Sequence, residues 1–116
     1  TNESQVHENY KDMIIKARDI DSRVTGRSTG HPVRALRNQM TKEYLKKEQE
    51  GAPFEELELL TLGGLRRAVV DGDVKTGSVM AGQIAGMVKE KMSCHDLIQK
   101  LVKETDDLIG GKGFYE

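Results

Sequence analysis

The sequence predicts a mainly α-helical, α+β chain with four to six helices and one short β-hairpin near residues 22–37. Three observations predict it. Apolar residues recur at helical spacing over residues 4–20 and again after Ser93. A highly charged stretch at 39–50 is bounded by an asparagine and a glycine, residues that start and stop helices. Between the first two helical stretches, β-branched residues and glycines replace the helical period.

Val6, Tyr10, Met13, Ile14, Ala17 and Ile20 form the apolar stripe of the first helix, with Ser4 as its expected N-cap. His7, one turn before Tyr10, reads as a surface or half-buried hydrogen-bonding residue rather than a ligand. From Ser22 to Asn38 two strands are expected, at about 22–27 and 32–37, joined by a Ser-Thr-Gly turn. Pro32 pushes His31 out of the α region. Five of the seven arginines fall between Arg18 and Arg37, against Asp19 and Asp21, so this segment carries a local charge of +3. Arg23, Arg27, Arg34 and Arg37 have the forked donors that bind phosphate, or they salt-bridge the hairpin. The missing aromatic platform favours the second reading.

Gln39–Glu50 is expected as a helix capped by Asn38 and ended by Gly51, with Met40, Tyr44 and the stem of Lys47 on its covered face. Ala52-Pro53 starts the next helix with proline in the first position, and Phe54, Leu57, Leu59 and Leu60 supply its buried stripe. Gly63-Gly64 interrupts it. The apolar run Ala68–Val70 then stops at Asp71-Gly72-Asp73, a turn signal.

The stretch from Gly77 to Gly86 is the most informative. Ser78 reads as the N-cap of a new helix. Ala81, Gly82, Ala85 and Gly86 pair at i,i+4 and leave one face nearly bare, while Val79, Ile84, Met87 and Val88 supply bulk. Glycine inside a helix costs about 0.8–1 kcal/mol against alanine. Something must therefore approach this backbone closely: a packed element, or a ligand at the helix N-terminus. The expected partner is a surface that the chain does not itself supply. Ser93-Cys94-His95-Asp96 has the form of a capping box, and Leu97, Ile98, Leu101, Val102 and Leu108 follow as an amphipathic helix closed by Gly110-Gly111. Residues 110–116 read as a frayed tail. Cys94 has no base to pair with and reads as structural.

At 116 residues the chain is expected to be one region. A net charge of −1 gives no global field for nucleic acid or an anionic membrane. Apolar content of 36% with 4% aromatics is lean for a self-sufficient core, which favours self-association into a homo-oligomer. One cysteine excludes an internal disulfide. No apolar run approaches the ~20 residues of a membrane span, and the opening TNESQVHENY lacks the features of a signal peptide. A cytoplasmic location is expected. Asp71-Gly72-Asp73 opens like a calcium loop, but Lys75, Thr76 and Gly82 stand at positions 5, 6 and 12. There is no phosphate-binding glycine loop, and His7, His31 and His95 lie too far apart to read as metal ligands. No catalytic, cofactor-binding or metal-ligating residue is expected in this chain.

The runs VTGRSTGHPVRALRN and LRRAVVDGDVKTGSVMAGQIAGMV, with Glu3, Ser4, His7, Tyr10 and Lys11 near the start, resemble the nitronate monooxygenase (2-nitropropane dioxygenase) family. Within it the likeness is to the C-terminal part of flavin-dependent enoyl-acyl-carrier-protein reductases of type II, over nearly all of residues 1–105. The resemblance implies a (β/α)₈-type parent that uses FMN and NAD(P)H on an acyl-carrier-protein thioester in fatty acid synthesis. A barrel needs about 250 residues, so the expectation is a C-terminal piece without the barrel, inactive alone and binding neither FMN nor NAD(P)H by itself. By the same resemblance Gly77, Ser78, Met80 and Gln83 are substrate-binding residues. Ser78 would offer a hydroxyl, Met80 an adaptable apolar wall, with Gly77 and Gln83 behind them. The alternatives are the C-terminal region of a nitronate monooxygenase and a self-associating helical module without catalysis.

Overall fold

The structure, a computed structural model, describes residues 1–110. Among them are five α-helices, two 3₁₀ turns and one two-stranded antiparallel hairpin, so the fold is mainly α without a barrel. The described residues divide into two compact units: Gln5–Lys89, and Thr1–Ser4 together with the chain from Glu90 onward.

In the larger unit, α1 spans Glu8–Lys16 and is shorter than its apolar period implied. His7, not Ser4, caps it, its Nδ1 accepting from the Asn9 amide at 3.0 Å. The helix ends because Ala17 turns extended and Arg18 closes a tight turn on Asp21. The Arg18 amide and guanidinium donate to that carboxylate at 2.9–3.2 Å. Strands β1 (Ser22–Thr25) and β2 (Val33–Leu36) pair from Ser22↔Leu36 to Thr25↔Val33, each shorter than predicted. The 3₁₀ turn Arg27–Thr29 joins them between two left-handed glycines, Gly26 and Gly30. Glu48 holds that turn, accepting from the Ser28 amide and hydroxyl at 3.0 and 2.6 Å.

Helix α2 (Gln39–Gln49) begins as the sequence implies, with a full capping box between Asn38 and Thr41, and Gly51 follows its end at φ 78°. Helix α3 (Phe54–Thr61) starts one residue late, with Pro53 as N-cap. Its stripe is narrower than expected: Leu57 is enclosed at 1% exposure, while Phe54 and Leu59 are exposed. The reason is that α3 meets α2 along a single line, where Met40, Tyr44 and Leu57 form a small core. Helix α4 (Gly64–Val69) follows a left-handed Gly63. The main core gathers Tyr10, Ala17, Leu36, Ala68, Val79 and Ala85.

The largest departure concerns Ser78. No helix starts there: the backbone from Ser78 to Ala81 is extended, and a 3₁₀ turn occupies Gln83–Met87. Tertiary hydrogen bonds override the local signal. Ser78 N donates to Gly64 O at 2.9 Å, and Val79 O accepts from Leu36 N at 2.8 Å. The expected bare helix face therefore does not exist. Gly86 instead meets the chain itself, since a Cβ there would lie 2.7 Å from the Asp19 amide nitrogen; Gly82 faces open space.

In the smaller unit, α5 spans Cys94–Leu108, and Ser93 caps it by accepting from Asp96 N at 3.1 Å. The Glu3 carboxylate also accepts from the Cys94 amide, at 2.9 and 3.1 Å, and this bond lowers its pKa. Ile98, Leu101, Val102 and Leu108 are exposed along α5. Gly110 takes a left-handed conformation; the rest of the expected frayed tail lies outside the described residues. No helix among the described residues is long and apolar enough to cross a membrane.

Candidate functional site

Ser78–Ala81 lies along β2 as a third extended segment. Met80 bridges Ala35 in antiparallel fashion, and Ala81 N reaches Arg34 O at 3.4 Å. Extended backbone sends alternate side chains to opposite faces. Val79 accordingly points into the core, while Ser78 and Met80 line a cleft of about 390 Å³. The hairpin, α2, α3 and α4 complete its walls with Thr25, Ala35, Met40, Tyr44, Phe54 and Leu65. Cavities of this size with apolar walls and a few polar groups hold small ligands or short chains.

The polar groups of the cleft differ in how they are used. Thr29 Oγ1 donates to Gly26 O at 2.7 Å, and Thr25 Oγ1 points to Val33 O at 3.5 Å. Ser78, 7% exposed, also lines the cleft. Burial, with help from Glu48, pushes the Tyr44 phenol up and keeps it protonated. Glu58 also lines the cleft, and no lysine or arginine does.

Gly77 stands behind the cleft, not in it. A Cβ there would lie 2.4 Å from Asp73 O and 2.8 Å from Ala68 Cβ, so only glycine fits against α4. Asn38 Nδ2 fixes this loop by donating to Gly77 O at 2.8 Å and Val74 O at 2.9 Å. Gly64 is small for a related reason, since its Cβ would meet Ser78 Oγ at 2.6 Å. Gln83 is exposed at the start of its 3₁₀ turn and does not line the cleft. The cleft residues on α2, α3 and α4 were not among the sequence candidates. Met40 and Tyr44, one turn apart on an otherwise charged helix, were the available signal.

The arginine-rich segment staples the hairpin. Arg37 donates to Asp21 at 3.1 Å beside Arg18, Arg34 donates to Ser22 Oγ at 2.9 Å, and Arg23 donates to the carbonyls of Ile20 and Ser22. Arg18 foremost, through its hydrogen bonds, holds the Asp21 carboxyl down at about 2.

Comparison with known proteins places this arrangement. The chain is similar to FabK from Thermotoga maritima, with 38% identity and a TM-score of 0.83 over 90% of this chain and 33% of that one. A methionine-to-alanine mutant of the same protein gives 34% identity and a TM-score of 0.72, over 91% of this chain and 30% of that one. The chain thus spans about a third of the length of these structures. No curated relative matches it. The family model for nitronate monooxygenase matches residues 1–104, and the chain belongs to that family.

Proposed function

We propose that the chain is the C-terminal region of an FMN- and NAD(P)H-dependent enoyl-acyl-carrier-protein reductase of fatty acid synthesis, working in the cytoplasm. The observation that carries this reading is the 38% identity to FabK over nine-tenths of the chain, FabK being an enoyl-acyl-carrier-protein reductase II. The cleft agrees with an acyl substrate: Phe54, Leu65 and Met80 offer apolar wall, and the Ser78 hydroxyl offers a polar contact for the thioester end. In this assignment Gly77 is the close-packed backing of the substrate segment, and Gln83 is an exposed amide further along it.

The described residues do not fit FMN as a complete site. No lysine or arginine lines the cleft to hold the phosphate, His31 is the one basic side chain in its lining, and Glu58 would repel the group. In the parent, a flavin held by the rest of the enzyme would supply the hydride chemistry. The groups of this chain bind and orient the acyl substrate and exclude water, and the chain alone is inactive. Its partners are the missing barrel, the carrier-protein thioester and a second copy of the enzyme. Exposed Leu59, Leu62 and Val70 supply apolar surface for such contacts.

The test is turnover of crotonyl thioester with NAD(P)H by the full-length parent. Activity is expected, and Ser78→Ala or Met80→Ala should raise KM about tenfold with little change in kcat, as for loss of a ground-state contact. Inactivity on the thioester together with oxidation of alkyl nitronates would move the protein to the second reading, nitronate monooxygenase, which the family model favours. A third reading, a self-associating helical module, draws on the exposed apolar face of α5. A cooperative, well-folded oligomer in light scattering, with a parent inactive on both substrates, would select it.

A further inference from the structure

We propose that Arg67 on α4 is a positioning residue for the cleft. Its guanidinium moors the end of α3 to the segment that delivers Ser78 and Met80, and so fixes the spacing of those two parts of the wall. This role rests on the reading of the cleft as the acyl site.

Arg67 is half-buried and does not itself line the cleft. Its Nη1 donates to Leu62 O at 2.6 Å. Its Nη2 donates to Thr76 O at 3.0 Å and to Leu60 O at 3.4 Å. Leu60 and Leu62 flank Thr61, the last residue of α3, which lines the cleft. Thr76 stands two residues before Ser78, which lines it too. A guanidinium is planar and holds its donors rigidly relative to one another. The carbonyls it joins, from two separate segments, are therefore fixed relative to one another as well.

Two simpler roles fall short of these bonds. An arginine that only closed α3 would need only the helix's own orphan carbonyls, those of Leu60 and Leu62. An arginine that only shaped the loop before Ser78 would be redundant, because Asp73 already does so. The Asp73 carboxylate accepts from the Lys75 and Thr76 amides at 3.1 and 3.0 Å and from the Thr76 hydroxyl. Its carbonyl accepts from Gly77 N at 3.1 Å.

Asn38 moors the same loop to α2 through Val74 O and Gly77 O. Arg67 adds a second mooring, to α3. The Ser78 segment is thus tied both to the helix of Met40 and Tyr44 and to the helix of Phe54 and Thr61, all four of which line the cleft. Apart from Arg67, α3 rests on the small core around Leu57 and on the exposed Lys47–Glu56 pair. Exposed pairs restrain little. Without Arg67, the end of α3 shifts while α2 stays, which loosens the bound substrate and leaves the reacting atoms untouched.

The experiment uses the full-length, flavin-loaded parent with Arg67→Met, Arg67→Lys and Asp21→Asn. Arg67→Met keeps the stem and removes the donors. Asp21→Asn is the control, since its carboxylate serves Arg18 and Arg37, neither of which lines the cleft. Arg67→Met is expected to raise KM for crotonyl thioester about tenfold, with kcat within about twofold. Amide exchange over residues 57–62 and 74–80 should quicken by about tenfold in the same variant. Arg67→Lys, which has donors but no rigid fork, should recover part of both losses, and it carries the comparison if Arg67→Met does not fold. Asp21→Asn should lower Tm and leave KM and exchange over 74–80 as in wild type. An unchanged KM beside a lowered Tm in the Arg67 variants would reduce Arg67 to a helix cap and overturn the proposal. An equal rise of KM in Asp21→Asn would overturn it too, as general destabilisation. A wild-type parent inactive on the thioester strikes the acyl reading instead. KM for an alkyl nitronate then replaces the thioester KM, and without turnover of either substrate the exchange comparison decides alone: equal exchange over 74–80 in wild type and the Arg67 variants overturns the proposal.

Discussion

The phenol of Tyr10 on α1 donates a 2.5 Å hydrogen bond to the carbonyl of Met80, seventy residues further along the chain. That bond, with the bridge to Ala35, positions the segment carrying Ser78 and Met80. Tyr10→Phe leaves a part-buried carbonyl without its donor and should cost about 1–3 kcal/mol in urea unfolding. It should also weaken binding of an acyl ligand in the cleft, because Met80 loses its backbone support.

The same residue gives a test at high pH. Burial pushes the Tyr10 phenol above its ordinary value of 10.0, against the smaller opposing effect of the Met80 bond. A raised folded-state value means stability is fully present below pH 10 and is lost as pH rises through the raised value. The Tm should therefore fall above pH 10, and less steeply in Tyr10→Phe. Tyr44, also raised by burial, acts with the same sign, so the variant flattens the decline without abolishing it. An identical alkaline slope in both proteins would refute the assignment.

Gly82 and Gly86, two residues of one sequence pattern, should respond in opposite ways to alanine. A Cβ at Gly86 would lie 2.7 Å from the Asp19 amide nitrogen and 2.8 Å from the Arg18 carbonyl carbon, both backbone atoms that cannot step aside cheaply. Gly86→Ala should destabilise by about 1–3 kcal/mol. At Gly82 nothing lies within 4 Å and φ is −78°, so alanine is unstrained. Gly82→Ala should be neutral, or stabilise by up to about 1 kcal/mol through the unfolded chain. Thermal melts of the two variants decide the matter.

The same pair shows where sequence reasoning worked and where it failed. Close approach at Gly86 was legible, since glycine at a costly position implies a near neighbour, but the neighbour's identity was not. The Arg18–Asp19 turn lies far away in sequence and no local signal ties the two. Caps read correctly where the cap bond is local: Asn38 to Thr41 and Ser93 to Asp96 each span three residues. Ser78 failed because its backbone is claimed by Gly64 and its neighbour's carbonyl by Leu36. Non-local strand pairing of that kind leaves no trace in helical periodicity. Within the site, Ser78 and Met80 could be named from the family likeness, whereas the opposite wall on α2 and α3 depends on how those helices pack.

Asn38 joins local and non-local structure in one side chain, and substitutions can separate them. Its Oδ1 caps α2 by accepting from Thr41 N at 2.9 Å, while its Nδ2 holds the carbonyls of Val74 and Gly77. Asn38→Ala removes both roles and should cost about 2–3 kcal/mol. Asn38→Asp keeps the cap acceptor and loses the two donors, so its cost should fall between wild type and alanine. Equal costs for the two variants in denaturant unfolding would mean that the loop bonds carry the effect and the cap does not.

Asp21 sets the behaviour at low pH. Its carboxylate accepts from the Arg18 amide and guanidinium and from Arg37, and the Arg18 side-chain bonds foremost lower its pKa from 3.8 to about 2. A depressed folded-state value gives stability that is present above the unfolded value and lost as pH falls through the folded one. The contribution should therefore fade between about pH 4 and 2. Glu3, Glu48 and Asp73 are lowered as well, so the wild-type acid slope is a composite. Asp21→Asn isolates one part of it: the Tm of wild type and variant should differ at pH 6 and converge near pH 2. The exposed ion pairs are screened by salt, so the gap at pH 6 should narrow in 1 M NaCl, but not close, because the Arg18 amide bond is not an ion pair. A gap that persisted unchanged at pH 2 would show that the variant suffers from lost packing and not from lost charge.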